Sequence, residues 1–142
     1  MQVVRHVFVY GSLRPDDNSG QSWTRDAVEG MNAHRAELRK AQLFRDQYAC
    51  AVINPCLSNE CSIKGYVLSS SDDDLFCSKL KLFDRIEGFY GSKHSQNLYE
   101  RDVMEVHIDG SQETVNAHVY HRAACSREHL IASGDWLRRN ER

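Results

Sequence analysis

A carboxylate at a position that should be apolar is the first chemical signal in this chain. Walking the segment 72–88 at roughly 100° per residue, Phe76, Leu80 and Phe83 fall in one narrow stripe, and Glu87 lands inside it. On a helix such a stripe faces a core. The Glu87 carboxyl would then sit in apolar surroundings, where desolvation disfavours its charged form and raises its pKa. A carboxyl tuned in that way can take up and return a proton near neutral pH. The alternative is a helix already frayed at Glu87, with the side chain in solvent or on a nearby arginine. Asp84 and Arg85 flank the stripe and read as a solvated face or a local ion pair.

The second chemical candidate is Tyr10-Gly11-Ser12-Leu13, at the end of an apolar run. A glycine followed by a turn can present successive backbone N–H groups to an anion or a developing oxyanion. Ser12 could serve as a nucleophile, but no G-x-S-x-G elbow surrounds it, and a turn-capping serine is the simpler reading. The seven histidines form no H-E-x-x-H pattern, and the five cysteines (Cys50, Cys56, Cys61, Cys77, Cys125) form no C-x-x-C pair. No metal or disulfide framework is signalled, and reduced thiols in a cytoplasmic protein are expected.

These residues need elements to hold them. Val3, Val4, Val7, Phe8 and Val9 predict a buried first strand, closed by Gly11 and the turn-rich RPDDNSG. From Trp23 to Gln47 Ala, Glu, Arg and Lys favour helix. Strands are expected over Tyr48 to Ile53, stopped by Asn54-Pro55, and over Ser62 to Leu68, where Gly65 marks a bulge or a close backbone approach. A helix follows over 72–88, with Asp and Ser at its start and Gly88 as its stop. Beyond it, Val103, Glu105 and His107 alternate with Met104, Val106 and Ile108. This predicts a strand with one buried face, then a turn at Asp109-Gly110 and a partner strand near Val115 to Tyr120.

The chain has 142 residues, 41% hydrophobic and 27% charged, with a formal net charge of −2. That supports a single domain over 1–142 and a small-molecule ligand. The basic footprint of a nucleic-acid binder is missing, and no segment approaches the roughly 18 apolar residues of a membrane span.

Three segments in this order, FVYGSLRP, KLKLFDRIEGF and LYERDVMEV, resemble the γ-glutamylcyclotransferase superfamily, in its AIG2-like, γ-glutamylamine branch. GYVL at 65–68, AHVYHR at 117–122 and SGDW at 133–136 extend the likeness over nearly the whole chain. The resemblance implies an α+β fold, a small mixed antiparallel β-barrel with flanking helices and a cavity at one end. It also implies a strand within Ala36 to Phe44, where the residue types favour helix. It implies a reaction in which the substrate's α-amine attacks its own γ-carbonyl, releasing 5-oxoproline and an amine, with Glu87 of D-x-x-E-G as general acid and base. By the same resemblance Tyr10, Gly11, Ser12 and Leu13 bind substrate through backbone amides, Tyr99 faces the cavity, and Arg101 makes a structural or substrate-side polar contact. A cross-strand ion pair is the other reading of Arg101. No metal or cofactor is implied, and a monomer is expected. The segment between Gly88 and Tyr99 looks longer than in compact members, so it could alter which amine fits. A non-catalytic binding or interaction module on the same fold is the rival reading.

Overall fold

The strand that opens the fold is apolar on both faces because both faces are covered. In the computed structural model, which describes residues 4–16, 22–46, 48–123 and 129–140, β1 spans His6–Val9. Phe8 belongs to the cluster that fills a barrel, whereas Val7 and Val9 belong to a second cluster beneath the helices. Val3, expected in this strand, lies outside the described residues.

The barrel is closed in the order β1, β5 (Ser62–Ser69), β2 (Asn32–Arg39), β6 (Glu100–Ile108) and β7 (Thr114–His121). Neighbours are antiparallel except β7 and β1, which run parallel and pair Val7 with His118 and Phe8 with Val119. A second, three-stranded sheet sets β3 (Ala41–Asp46) between β4 (Tyr48–Ile53) and β8 (Leu130–Ile131). Helices α1 (Ser22–Val28) and α2 (Asp73–Glu87) complete an α+β architecture, as expected.

Strand alternation sorts the side chains between the two clusters. On β7, Ala117 and Val119 pack in the barrel while Tyr120 packs under α2 with Leu68, Phe76 and Phe83. On β6, Val106 is buried and Met104 and Ile108 pack against the barrel cluster, while Val103 is exposed. This is the alternation read from the sequence. The ambiguous stretch after Trp23 resolves into both structures: a seven-residue helix, then two strands separated at Lys40, whose φ is 58°.

The ends of α2 are fixed by local chemistry. The Asp72 carboxylate accepts from the Leu75 N–H at 3.1 Å as N-cap. At the other end Gly88 turns left-handed (φ 65°), and the Phe89 N–H reaches back to the Asp84 carbonyl at 2.8 Å. A glycine takes that conformation with no Cβ penalty. The helix therefore holds its form through Glu87 instead of fraying.

Cys50 is disulfide-bonded, which corrects the expectation of thiols throughout; residue spacing cannot reveal a pairing that only the fold creates. Cys56, Cys61 and Cys77 are free, and Cys125 lies outside the described residues. Among the described residues no helix is long and apolar enough to cross a membrane.

Gly65 marks a close approach inside the barrel. A Cβ placed there would stand 2.3 Å from the Val9 carbonyl oxygen and 2.9 Å from the Phe8 ring. The carbonyl belongs to a paired strand of a closed barrel and cannot move aside alone, so the sequence-predicted close approach is real. Overpacking of this kind costs about 1–3 kcal/mol, so Gly65→Ala is expected to lower Tm by roughly 5–10 °C in a thermal melt. An unchanged Tm would show that the barrel absorbs the methyl group.

Candidate active site

One cavity of about 440 Å³ opens where the end of β1, the last turn of α2 and the start of β4 converge. Its volume falls in the range of small-molecule sites, about 300–1,000 Å³. Tyr10, Gly11, Ser12 and Leu13 line one side; Ile86 and Glu87 line another; Leu98, Tyr99, Tyr48 and Ala49 contribute from the loop before β6 and from β4. Six of the seven site residues expected from the sequence therefore meet in one place. The seventh, Arg101, is not in the lining. Its guanidinium donates to Asp84 at 2.5 Å and lies 4.9 Å over the Phe89 ring.

Glu87 is the only charged side chain among the described residues that line the cavity. No described side chain hydrogen-bonds or ion-pairs with its carboxyl. Its side chain is partly open to the cavity yet surrounded by protein, and burial raises its pKa from 4.5 to about 7. It can exist in either protonation state at neutral pH.

Tyrosines make up much of the cavity's polar lining. The Tyr10 hydroxyl donates to the Tyr120 carbonyl at 2.5 Å and accepts from the Ala51 N–H at 3.3 Å. The Tyr99 hydroxyl donates to the Ala49 carbonyl at 2.6 Å, and the Arg122 N–H donates to the Ala51 carbonyl at 2.9 Å. These bonds stitch β4 of the small sheet onto the barrel mouth. Burial, and then the Glu87 charge, raise the Tyr10 pKa well above the ordinary phenol value. Burial, and then the bond to Asp84, do the same at Tyr120. Both stay neutral near pH 7.

The loop after β1 is a tight turn closed by the Arg14 N–H on the Gly11 carbonyl at 3.0 Å. The intervening Ser12 and Leu13 N–H groups take no part in that bond. Gly11 is required for packing: a Cβ there would meet the Ala49 Cβ at 2.7 Å. Arg14 then anchors the turn, bonding both Asp16 oxygens at 2.8 Å and Asp135 at 2.8 Å, while the Tyr66 hydroxyl donates to Asp16 at 3.1 Å. Burial works against the Arg14 charge, but the two carboxylates outweigh it and its pKa rises.

Two groups escaped the sequence reading. Asp84, read as a solvated face or local ion pair, does form an ion pair, but with Arg101 across the fold, and its other oxygen accepts from the Tyr120 hydroxyl at 2.6 Å. Its place in D-x-x-E-G was the available signal. Asp135 of SGDW and Arg14 after YGSL were visible as resembling segments, but nothing in the sequence linked them. Among the described residues no group of three or more His, Cys, Asp or Glu is arranged to hold a metal ion.

Among the described residues the barrel thus brings together a cavity, a glycine turn and a single carboxyl whose pKa burial raises to about 7. The family model for γ-glutamyl cyclotransferase, AIG2-like, matches residues 7–138, and the chain belongs to that family. Similar solved structures include the uncharacterized protein PH0828 from Pyrococcus horikoshii, 18% identical, with a TM-score of 0.58 over 94% of this chain and 90% of that one. Protein At5g39720.1 from Arabidopsis thaliana is 24% identical, with a TM-score of 0.59 over 86% of this chain and 72% of that one. An AIG2-like protein from Mus musculus is 16% identical, with a TM-score of 0.58 over 89% and 82%. At these identities the likeness bears on the fold. A search of curated protein sequences returned no match.

The raised pKa carries a stability consequence. With a native value of about 7 against 4.5, the unfolded state releases the Glu87 proton first as pH rises. Stability is therefore lost between those two values, and the loss persists above them, reaching at most about 3 kcal/mol. Glu87→Gln has no proton to lose. Its Tm is expected to match wild type near pH 4.5 and to exceed it by several degrees at pH 8, measured by paired melts. A difference independent of pH would remove the raised pKa.

Proposed function

We propose that this chain catalyses cyclotransfer on γ-glutamyl amines, releasing 5-oxoproline and the free amine. The observation that carries the reading is the lone, near-neutral Glu87 carboxyl in an apolar cavity beside the 10–13 turn, in a member of this family.

The chemistry asks little of the protein beyond placement. The substrate's α-nitrogen bonds to the carbonyl carbon of its own γ-glutamyl amide, closing a five-membered ring, and the bond from that carbon to the leaving nitrogen breaks, with no water consumed. Orienting an intramolecular attack of this kind can supply roughly 7–11 kcal/mol. Two protons leave the α-nitrogen and two arrive on the departing amine. Glu87 as carboxylate accepts from the α-ammonium and, once protonated, donates to the leaving nitrogen, so one carboxyl serves in both directions. General acid–base action of this type is worth on the order of 10²–10⁴-fold.

The turn amides of Ser12 and Leu13 bind the substrate α-carboxylate or the carbonyl oxygen as it gains charge. Tyr10 and Tyr99, whose hydroxyls are already engaged on backbone carbonyls, act as rigid walls. Arg101 works through Asp84, keeping α2 in place. The reaction calls for no metal or organic cofactor.

The test is mass-spectrometric detection of 5-oxoproline from a panel of γ-glutamyl amines. Wild type is expected to produce it, with kcat/KM rising through pH 7 as Glu87 ionises, and Glu87→Gln is expected to lose at least 100-fold in kcat. Ser12→Ala should retain activity, with no acyl-enzyme in intact-mass spectra. A covalent adduct on Ser12, or near-normal turnover by Glu87→Gln, would replace this mechanism. No product from any member would favour a binding module.

A further inference from the structure

Large apolar side chains are exposed at only a few described positions, and half of those positions share one location. Of Trp23, Tyr48, Tyr90, Leu98, Val103 and Leu130, three line the cavity: Trp23 at 44%, Tyr48 at 56% and Leu98 at 45% exposure. They come from α1, from the first residue of β4 and from the loop before β6, segments distant in sequence. Exposed apolar surface gathered at the mouth of a pocket marks a place a ligand covers.

Two of the three sit beside fixed hydrogen bonds. Tyr48 precedes Ala49, whose carbonyl is fixed by the Tyr99 hydroxyl at 2.6 Å. The Leu98 N–H donates to the Gly88 carbonyl at 2.9 Å, next to Glu87 itself. The loop carrying Leu98 is braced by Asn97, which accepts from the Tyr90 N–H and donates to the Gly91 carbonyl and to Glu100, each at 2.7 Å. The backbone at Leu98 and at Ala49, next to Tyr48, is thus bonded in place at the cavity mouth. Tyr10, Tyr99 and Tyr120, by contrast, are buried deeper in the same cavity.

We infer that Trp23, Tyr48 and Leu98 form the subsite for the leaving amine, and that this amine carries a bulky apolar group, arylalkyl or branched aliphatic. The inference rests on the cyclotransferase reading. With the α-nitrogen and γ-carbonyl at Glu87, the substituent on the leaving nitrogen extends outward to the mouth. There it meets two aromatic faces and a leucine, with no charged side chain among the described lining residues other than Glu87. A cationic substituent such as a lysine chain would lose hydration against this rim without gaining a counter-charge from it.

The test measures kcat/KM for 5-oxoproline release from γ-glutamyl phenethylamide, γ-glutamyl ethylamide and ε-(γ-glutamyl)-lysine. The first two release primary alkylamines of similar basicity, so their ratio reports the subsite. Phenethylamide is expected to lead both others by at least tenfold, since apolar complementarity in a pocket discriminates by about 10–200-fold. In Trp23→Ala, and separately in Leu98→Ala, the phenethyl-to-ethyl ratio should fall by roughly tenfold. Ethylamide or the lysine derivative turning over as well as phenethylamide, or a ratio unmoved by both variants, overturns the subsite and leaves the reaction standing. No 5-oxoproline from any of the three overturns the subsite and the cyclotransferase reading together.

Discussion

The carboxylate of Asp84 holds the site in place. One of its oxygens accepts from Arg101 on β6 and the other from the Tyr120 hydroxyl on β7, pinning the last turn of α2 to two adjacent staves of the barrel. Hydrogen bonds to a charged group contribute about 1.5–3 kcal/mol each, enough to fix a helix end that would otherwise fray. Glu87 follows three residues later, so the clamp decides where the catalytic candidate points. The backbone of the same residue completes the helix cap, its carbonyl receiving the Phe89 N–H.

That clamp also shapes the electrostatics. An arginine facing Glu87 would stabilise the carboxylate and return its pKa to the usual acidic range. Arg101 instead spends its charge on Asp84 and its face on Phe89, and Arg14 spends its charge on Asp16 and Asp135. Burial alone then sets the Glu87 proton affinity. The two ion pairs tie the loop after β1 and the end of α2 to the rest of the chain without supplying a counter-ion to the cavity.

Much of this was legible because it is periodic or local. The 3.6-residue stripe in 72–88 located both the helix and Glu87; the two-residue alternation in 100–108 located the buried face of β6; Gly65 and Gly88 marked a close approach and a helix stop. The parts that stayed hidden depend on contacts between distant residues. Nothing local says that β1 closes the barrel by pairing parallel with β7, or that a two-residue strand near the end of the chain extends a second sheet. In sequence Arg101 reads as a structural or substrate-side polar contact or a cross-strand ion pair, and Asp84 as a solvated face or a local ion pair; neither reading names the other, because a charge pattern does not disclose a partner 17 residues away. Trp23 and Tyr48 carried no signal of a shared cavity, since they meet only after α1 and β4 have docked on the barrel.

The central claim is that the fold keeps Glu87 unpaired and desolvated, with a proton it can exchange at neutral pH. The most direct measurement is a side-chain carboxyl titration by 13C NMR on glutamate-labelled protein, with Glu87→Gln used to identify the resonance. A midpoint near 7 is the result expected. A midpoint near the ordinary 4.5 would mean that water or a cation reaches the carboxylate in solution, and the single-carboxyl account of this site would fail.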